Sequence, residues 1–311
     1  MNKIDRVAVA SRSFSKNETL RGELLKRYEK VTFNDAGAKL EGDSLYGFLK
    51  GHNKAITALE RIDESLLSKL PELKVIGKYG VGLDMLDQEA MHQYGVKLGW
   101  TGGVNKRSVS ELVIAFMISL LRHVPKANIE VRNGVWQQHI GNYLSGKTIG
   151  IIGCGNVGKD LVYILQPFNC PILVNDILDY KQFYQQYNIQ PLGLEELLMK
   201  SDVVTLHVPL DKSTYNILNA ERIVQMKQSA VLINAARGGM VDEDALRIAL
   251  ENGNLAAAAF DVFSQEPPND QALLQLPNFL STPHIGGSAE ESVLAMGMAA
   301  INGLDVNDDS K

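Results

Sequence analysis

The feature that most constrains this chain is a glycine-rich segment near its middle, K-T-I-G-I-I-G-C-G-N-V-G-K-D-L, which spans residues 147–161. Its first half, Thr148 to Ile152, is a short apolar run of the kind that suits a strand buried on both faces. The run leads directly into Gly153, Gly155 and Gly158. The segment therefore predicts a strand, a tight glycine turn and a helix in direct succession.

The spacing of the three glycines, G-x-G-x-x-G, suits a turn that binds phosphate. Gly153 would permit the tight turn, Gly155 would let the backbone approach a pyrophosphate, and Gly158 would let the helix pack closely on the strand. Unpaired N–H groups and the helix dipole favour an anion at the start of such a helix. Glycine turns also occur without any ligand, so the spacing alone leaves a purely structural interpretation open.

The residues after the glycines favour a dinucleotide. A second apolar run, Pro171 to Val174, ends in Asn175 and Asp176. This acid lies about 20 residues beyond the glycines, where a ribose-binding carboxylate belongs. No arginine follows it directly, which favours NAD over NADP. The cofactor-binding candidates of this segment are Gly153, Gly155, Asn156, Val157, Gly158 and Asp176.

Composition narrows the classes of partner. With 311 residues and a net charge of −5, the chain has room for two domains and no basic surface for nucleic acid or an anionic membrane. Asp5 and Arg6 interrupt the first apolar run before a signal-peptide core could form. The two cysteines and six histidines show no metal-ligand spacing. We expect a small-molecule partner, no metal and a cytoplasmic location.

Apolar runs alternate with helical patterns on both sides of the glycine segment, which predicts an α/β protein with two doubly wound parallel sheets. A hinge is expected at Thr101 to Asn105, followed by a long buried helix from Ser108 to Arg122. The segment from Asn128 to Leu144 has no strong periodicity, and either crosses to a neighbouring subunit or is an ordinary surface loop. This region favours a C₂ homodimer.

A second glycine turn, K-Y-G-V-G-L-D-M-L-D, starts at Lys78 and ends the fourth predicted strand. Exposed N–H groups around Val81 could form a nest for a carboxylate. The same pattern is typical of a tight strand-to-helix loop in which Asp87 caps the next helix. The spacing alone does not choose between the two.

Polar residues follow four later predicted strands, at the edge of the sheet where ligands of open α/β sheets bind. A histidine can shuttle a proton, a carboxylate can orient it and favour its charged form, and an arginine can grip a carboxylate with two hydrogen bonds. Each residue alone has an ordinary structural explanation. The candidates here are His207, Val208, Pro209, Ala235, Ala236, Arg237, Asp261, Glu266 and His284.

These motifs together resemble the D-isomer-specific 2-hydroxyacid dehydrogenase family. They are the glycine turn with Asp176, H-V-P-L from His207, N-A-A-R-G-G from Asn234, F-D-V-F-S-Q-E-P-P from Phe260 and P-H-I-G-G from Pro283. The resemblance implies a Rossmann NAD-binding domain over residues 105–285. It also implies a smaller flavodoxin-like substrate domain formed by residues 1–104 and 286–311.

The resemblance further implies roles for single residues. Arg237 would bind the carboxylate and keto oxygen of the substrate, His284 would be the general acid and base, and Glu266 would orient and charge His284. Asp261 would accept a hydrogen bond from the nicotinamide carboxamide. Val81 and Gly82 would offer N–H groups to the substrate carboxylate. The remaining cofactor-binding candidates are His207, Val208, Pro209, Ala235 and Ala236, with Asp261 and His284.

The expected activity is NAD-dependent interconversion of a D-2-hydroxy acid and a 2-oxo acid, with 3-phosphoglycerate as one possible substrate. Arg12, Arg61 and Lys78 are the cations that could approach a distal phosphate. Two alternatives stay open: an NAD(H)-sensing corepressor in which binding rather than turnover matters, and a formate- or phosphite-type dehydrogenase.

Overall fold

The computed structural model describes residues 1–305, so the last six residues of the predicted substrate domain lie outside the described chain. The chain divides into two compact units. The smaller unit is Met1–Asn105 together with the described chain from Ala289, and the larger unit is Lys106–Ser288. Each unit contains its own parallel sheet, which confirms the predicted α/β class with two doubly wound sheets.

The smaller unit contains a five-stranded sheet in the order β2-β1-β3-β4-β5, the flavodoxin-like order. All its strand pairs are parallel. The strands are β1 (Asn2–Val9), β2 (Tyr28–Phe33), β3 (Lys54–Thr57), β4 (Val75–Lys78) and β5 (Lys97–Gly99). The helices between them are α1 (Arg12–Lys16), α2 (Glu18–Arg27), α3 (Gly42–Leu49), α4 (Glu64–Leu67) and α5 (Gln88–Gln93).

The larger unit contains a seven-stranded parallel sheet in the order β12-β11-β10-β9-β6-β7-β8. The strands are β6 (Ile149–Ile152), β7 (Ile172–Asn175), β8 (Gln190–Pro191), β9 (Val203–Leu206), β10 (Val231–Asn234), β11 (Ala257–Phe260) and β12 (Phe279–Ser281). The chain runs outward in both directions from β6 and β9, so the crevice between these two strands is the topological switch point where ligands of such sheets bind.

Helices cover both faces of the larger sheet. They are α6 (Lys106–Leu121), α7 (Val124–Arg132), α8 (Asn156–Leu165), α9 (Lys181–Tyr187), α10 (Leu194–Lys200), α11 (Ala220–Ile223), α12 (Glu243–Glu251) and α13 (Gln271–Leu274). Because side chains alternate along a strand, Ile151 joins the apolar cluster beneath α6 and α8, while Ile152 joins the cluster beneath α10 and α12. Both faces are thus buried, which explains the continuous apolar runs of these strands.

The last helix, α14 (Glu290–Gly303), belongs to the smaller unit and lies against β4 and β5. Its contacts depend on small residues. A Cβ at Gly77 would collide with the Ala300 carbonyl, and one at Gly99 would collide with the backbone of Gly303. The helix and the sheet therefore approach closely only because these glycines have no side chain.

The segment predicted to have no strong periodicity, Asn128 to Leu144, overlaps the C-terminal part of α7, and α7 has Pro125 in its first turn. None of the residues of α7 is buried. Its apolar residues therefore do not form the core-facing stripe from which a helix can be predicted. Within the described residues no single helix is long and apolar enough to cross a membrane; α6 and α7 reach that length only together, with a 65° bend between them.

Candidate functional site

The glycine turn joins β6 to α8 in the larger unit, and two of its glycines are required by packing. Gly153 has φ 98° and donates its N–H to the Asn175 carbonyl at 2.8 Å. A Cβ on Gly153 would collide with the backbone of His207, and one on Gly158 would collide with the Gly153 carbonyl. The turn is therefore held tightly between β7, β9 and the first turn of α8.

Gly155 is different, because an added Cβ would meet no heavy atom within 4 Å. It is the N-cap of α8, whose first turn, Asn156 to Gly158, contains no acidic residue. The first N–H groups of a helix have no partner inside the helix, so open space beside them suits an anion. Burial raises the pKa of the Cys154 thiol to about 11, so this neighbour adds no negative charge.

Asp176 directly follows β7 and faces the glycine turn. Its carboxylate accepts the N–H of Cys154 at 2.6 Å and the N–H of Leu178 at 2.8 Å. Each carboxylate oxygen can accept a further hydrogen bond. The neighbouring Ile177 is almost fully exposed and is not a cation. The carboxylate therefore lies beside the glycine turn and can still accept hydrogen bonds from hydroxyl groups.

His207 follows β9 at the switch point. Its N–H donates to the Ile152 carbonyl at 2.7 Å, and its Nε2 lies 3.0 Å from the hydroxyl of the buried Thr205. Desolvation lowers the pKa of His207 to about 3, so the ring is neutral at ordinary pH. A proton donor must be sought elsewhere, and His207 is suited to lining a cofactor site.

The turn that carries Arg237 is fixed by Asn234, the last residue of β10, which is almost completely buried. Asn234 Oδ1 accepts the N–H of Ala236 at 3.1 Å, and its Nδ2 donates to the Arg237 carbonyl at 2.8 Å. A Cβ on Gly238 would collide with the backbone at Phe263. The turn after β10 therefore touches the loop after β11, which contains Glu266. Asn234 begins the N-A-A-R-G-G motif, but the motif does not reveal these two hydrogen bonds.

His284 and Glu266 form the pair that the resemblance implies. His284 Nδ1 lies 2.8 Å and 3.1 Å from the two carboxylate oxygens of Glu266. Glu266 Oε1 also accepts the Phe263 N–H at 3.2 Å. An ionised carboxylate cannot donate, so Nδ1 carries the proton and Nε2 is left to exchange a proton with a ligand. The side chains are 47% and 41% exposed, which makes them accessible to a substrate.

Asp261, at the end of β11, is 1% exposed, and its carboxylate already has several donors. Oδ1 accepts the Thr282 hydroxyl at 2.5 Å and the Ile285 N–H at 2.7 Å. Oδ2 accepts the Gly286 N–H at 2.7 Å. Asp261 is a candidate from the sequence, whereas Thr282 is not. A cavity of about 510 Å³ is lined by Asp261, Glu266 and His284 together with apolar residues that include Phe263 and Leu274.

Val81 and Gly82 lie in the smaller unit, in the loop after β4. The Val81 carbonyl accepts the Trp100 Nε1–H at 3.1 Å. Within residues 1–305 neither the Val81 nor the Gly82 N–H donates a hydrogen bond, so both can donate to a ligand. Asp87 does cap α5, accepting the Ala90 N–H at 3.0 Å. The loop thus contains a helix cap, which the structural interpretation predicts. It also contains two N–H groups with no acceptor among residues 1–305, which the functional interpretation requires.

Two of the three cations considered for a distal phosphate line one cavity, and the third does not. Lys78 is 4% exposed, and its Nζ donates to the Ala58 carbonyl. Arg12 and Arg61 line a second cavity, of about 550 Å³, where Arg61 Nε donates to Asp63 at 3.3 Å. In the part of the chain that the structure describes, no group of three or more histidines, cysteines or carboxylates could hold a metal ion.

Known proteins resemble the chain in sequence and in fold. Residues 114–286 match the family described as "D-isomer specific 2-hydroxyacid dehydrogenase, NAD binding domain". D-3-phosphoglycerate dehydrogenase of Bacillus subtilis is 37% identical over 241 residues, which are 77% of this chain and 46% of that protein. The chain thus spans about half the length of the first such relatives. Hydroxypyruvate reductase of Thermotoga maritima is 34% identical over 251 residues, covering 79% of this chain and 81% of that protein.

Two solved structures show the same fold. The TT0316 protein from Thermus thermophilus has a TM-score of 0.86 and 31% identity, and the match covers 96% of this chain and 95% of that one. D-lactate dehydrogenase from Aquifex aeolicus, complexed with NAD and lactic acid, has a TM-score of 0.82 and 26% identity, covering 97% and 93%.

Proposed function

Because the chain belongs to the D-isomer specific 2-hydroxyacid dehydrogenase family, and residues 114–286 match its NAD binding domain, we propose that it interconverts a D-2-hydroxy acid and a 2-oxo acid with NAD(H). The observation that carries the proposal is the contact between His284 Nδ1 and the Glu266 carboxylate, which leaves Nε2 able to exchange a proton. The pair lies at the carboxyl ends of parallel strands, beside the Arg237 turn.

NAD(H), when bound, supplies or accepts the hydride at the substrate carbon. In the reductive direction, His284 Nε2 donates a proton to the carbonyl oxygen. Glu266 stabilises the imidazolium before this transfer and keeps the ring oriented. The guanidinium of Arg237 grips the substrate carboxylate with two hydrogen bonds, which a point charge could not reproduce.

We assign the cofactor to the larger unit. The open space at Gly155 and the first turn of α8 would receive the pyrophosphate, and Asp176 would hold the adenosine ribose. His207, Val208, Pro209, Ala235 and Ala236 would line the remaining cofactor site. Val81 and Gly82 would offer their N–H groups to the substrate carboxylate.

The substrate is expected to be a small 2-oxo acid. Relatives include a hydroxypyruvate reductase, a D-lactate dehydrogenase and D-3-phosphoglycerate dehydrogenases. A phosphorylated substrate would need a cation for its distal group. Arg12 is the better candidate, because Arg61 is already paired with Asp63 and Lys78 is buried.

Steady-state oxidation of NADH with pyruvate, glyoxylate, hydroxypyruvate and 3-phosphohydroxypyruvate tests the proposal. At least one should be reduced, and His284→Ala should lose about 10²–10⁴-fold in turnover while NADH still binds.

Arg237→Lys should lower turnover nearly as much as His284→Ala. Glu266→Gln should also lower turnover, because it removes the charge that stabilises the imidazolium of His284. NADH binding without turnover of any 2-oxo acid would instead favour the NAD(H)-sensing alternative.

We also propose that the chain is a cytoplasmic homodimer. Both Cys154 and Cys170 are free thiols, which suits a reducing compartment. The candidate dimer surface is the exposed apolar segment, defined as Val124 to Tyr143, which comprises α7 and the chain after it. Its largest apolar side chains, Trp136 and Ile140, are 86% and 98% exposed.

A further inference from the structure

The loop that carries His284 has an unusual backbone and depends on one buried carboxylate. His284 itself has φ 54°, in the left-handed region that residues other than glycine seldom adopt. Such a conformation persists only when surrounding contacts determine it. The contacts come largely from Asp261, whose backbone carbonyl accepts the His284 N–H at 2.9 Å.

The side chain of Asp261 holds both ends of the same loop. It accepts the Thr282 hydroxyl two residues before His284, and the N–H groups of Ile285 and Gly286 immediately after it. Charge-assisted hydrogen bonds of this kind are stronger than neutral ones. Gly286 fits because a Cβ there would approach Asp261 Oδ2 to 3.0 Å.

We propose that Asp261 is a positioning residue for proton transfer, which fixes the loop from Thr282 to Gly286 so that His284 Nδ1 meets Glu266. This differs from the role that the family resemblance implies, which is a contact with the nicotinamide carboxamide. Three of the acceptor positions of the carboxylate are already used inside the chain, and the residue is almost fully buried. The inference rests on the proposed function, because it assigns the proton transfer to His284.

Asp261→Asn is the decisive variant. An amide oxygen can replace one carboxylate oxygen, but the NH₂ group must then face a backbone N–H of the loop, so donor meets donor. His284 should shift, and a misplacement of about 1 Å can cost on the order of 10²-fold in turnover. The Kd for NADH should stay within about threefold of wild type, since the loop is not the main cofactor contact.

A cofactor analogue separates positioning from cofactor contact. The 3-acetylpyridine analogue of NADH has a methyl group where the carboxamide has its NH₂, so it cannot donate to Asp261. If Asp261 positions His284, Asp261→Asn should reduce turnover by the same factor, within about twofold, with NADH and with the analogue. A loss with NADH that largely disappears with the analogue would overturn the inference and favour the carboxamide contact.

The nitrogen NMR signals of the His284 ring test the geometry without any turnover, so they keep this inference distinct from the proposed function. Wild type should show the neutral ring with its proton on Nδ1, because Glu266 accepts it. Asp261→Asn should shift the proton toward Nε2, the form that free imidazole side chains prefer. Unchanged ring signals would refute the positioning role, whether or not wild type reduces a 2-oxo acid.

Two further variants guard against a trivial loss of folding. Asp202→Asn is the matched control, because Asp202 also accepts a backbone N–H, from Thr148 at 2.9 Å, but lies at the opposite end of the sheet. It should leave turnover and the His284 signals unchanged.

If Asp261→Asn does not fold, Thr282→Val is the second variant, because it removes one donor to Asp261. It should give the same ring change with a loss of a few-fold in turnover. A Thr282→Val protein identical to wild type in both measurements would then contradict the inference.

Discussion

At the scale of single residues, we expect Asp176 to decide between NAD(H) and NADP(H). Two backbone N–H groups fix its carboxylate beside the glycine turn, at 2.6 Å and 2.8 Å. A 2′-phosphate on the ribose would meet this negative charge, and the next residue, Ile177, is not a cation that could offset it. Like charges forced together cost several kcal/mol, so kcat/KM should favour NADH over NADPH by at least about 10²-fold.

Competition between the two cofactors under identical conditions measures this preference. Asp176→Ser combined with Ile177→Arg should reduce it strongly, because the change removes the repulsion and adds a partner for the phosphate. Ile177→Arg alone is the control and should have the smaller effect. Equal efficiency of NADH and NADPH in the wild-type protein would show that Asp176 does not contact the ribose.

His207 gives a prediction about stability and pH. Burial lowers its pKa in the folded chain to about 3, against an ordinary value of 6.5. Between these two values the unfolded chain binds a proton that the folded chain does not, so this residue makes stability fall as pH decreases from 6.5 toward 3. Below the folded value both states are protonated, and above 6.5 neither is.

His207→Gln removes this proton uptake. Without cofactor, the urea midpoint of wild type should therefore fall more than that of the variant between about pH 7.5 and about pH 5. Carboxylates that titrate over the same range affect both proteins equally and cancel in the comparison. Parallel changes in the two midpoints would mean that folding does not lower the pKa of His207.

At the scale of elements, the glycines of the turn meet two different requirements, close backbone packing and open space for a ligand. Gly158 is needed for folding, because a Cβ there would collide with the Gly153 carbonyl. An added Cβ at Gly155 would meet no heavy atom within 4 Å, so packing does not require glycine there. We expect the missing side chain to leave room for a ligand beside α8. The spacing of the motif already predicts close packing for Gly158 and phosphate approach for Gly155, and the contacts that an added Cβ would make agree with the packing role of Gly158.

The distinction predicts opposite effects for two alanine variants. Gly155→Ala should unfold at nearly the wild-type temperature but bind NADH about tenfold or more weakly, because the methyl group occupies the path of the pyrophosphate. Gly158→Ala should lower the melting temperature by several degrees, since a collision with backbone cannot relax easily. Calorimetry and NADH titration of both variants check this, and unchanged NADH affinity in Gly155→Ala would place the phosphates elsewhere.

Strong local signals account for what the sequence predicted. Buried parallel strands are continuous apolar runs, and the turns between them carry glycine and capping residues, so the sheets and the motif after each strand could be predicted. Contacts between residues that are distant in sequence could not be predicted. Asp261 and Thr282 are 21 positions apart, and no pattern in the sequence links them. The hydrogen bonds of Asn234 to Ala236 and Arg237 are local, but no pattern of residue types indicates them. Helix α7 was missed because it buries no face.

At the scale of the whole molecule, the exposed apolar segment is the feature that a single chain leaves unexplained. The segment is ordered by contacts to its own unit: the His139 ring lies 2.5 Å from Glu130, and the Asn142 N–H donates to the Leu121 carbonyl at 2.9 Å. These contacts hold Trp136 and Ile140 outward instead of burying them. Ordered apolar surface of this kind is characteristic of an interface.

A second copy of the chain is the occupant we predict, because a C₂ pair would let each segment cover the same surface on its partner. Light scattering at micromolar concentration should give about twice the chain mass of 34.2 kDa. Trp136→Ser with Ile140→Ser should shift the mass toward 34.2 kDa, since loss of central aromatic and aliphatic contacts commonly costs several kcal/mol of binding. The matched control is Ile4→Ser with Ile248→Ser, which removes exposed apolar side chains elsewhere and should leave the dimer intact. A wild-type mass of 34.2 kDa would exclude the dimer, and equal dissociation in both double variants would exclude this surface.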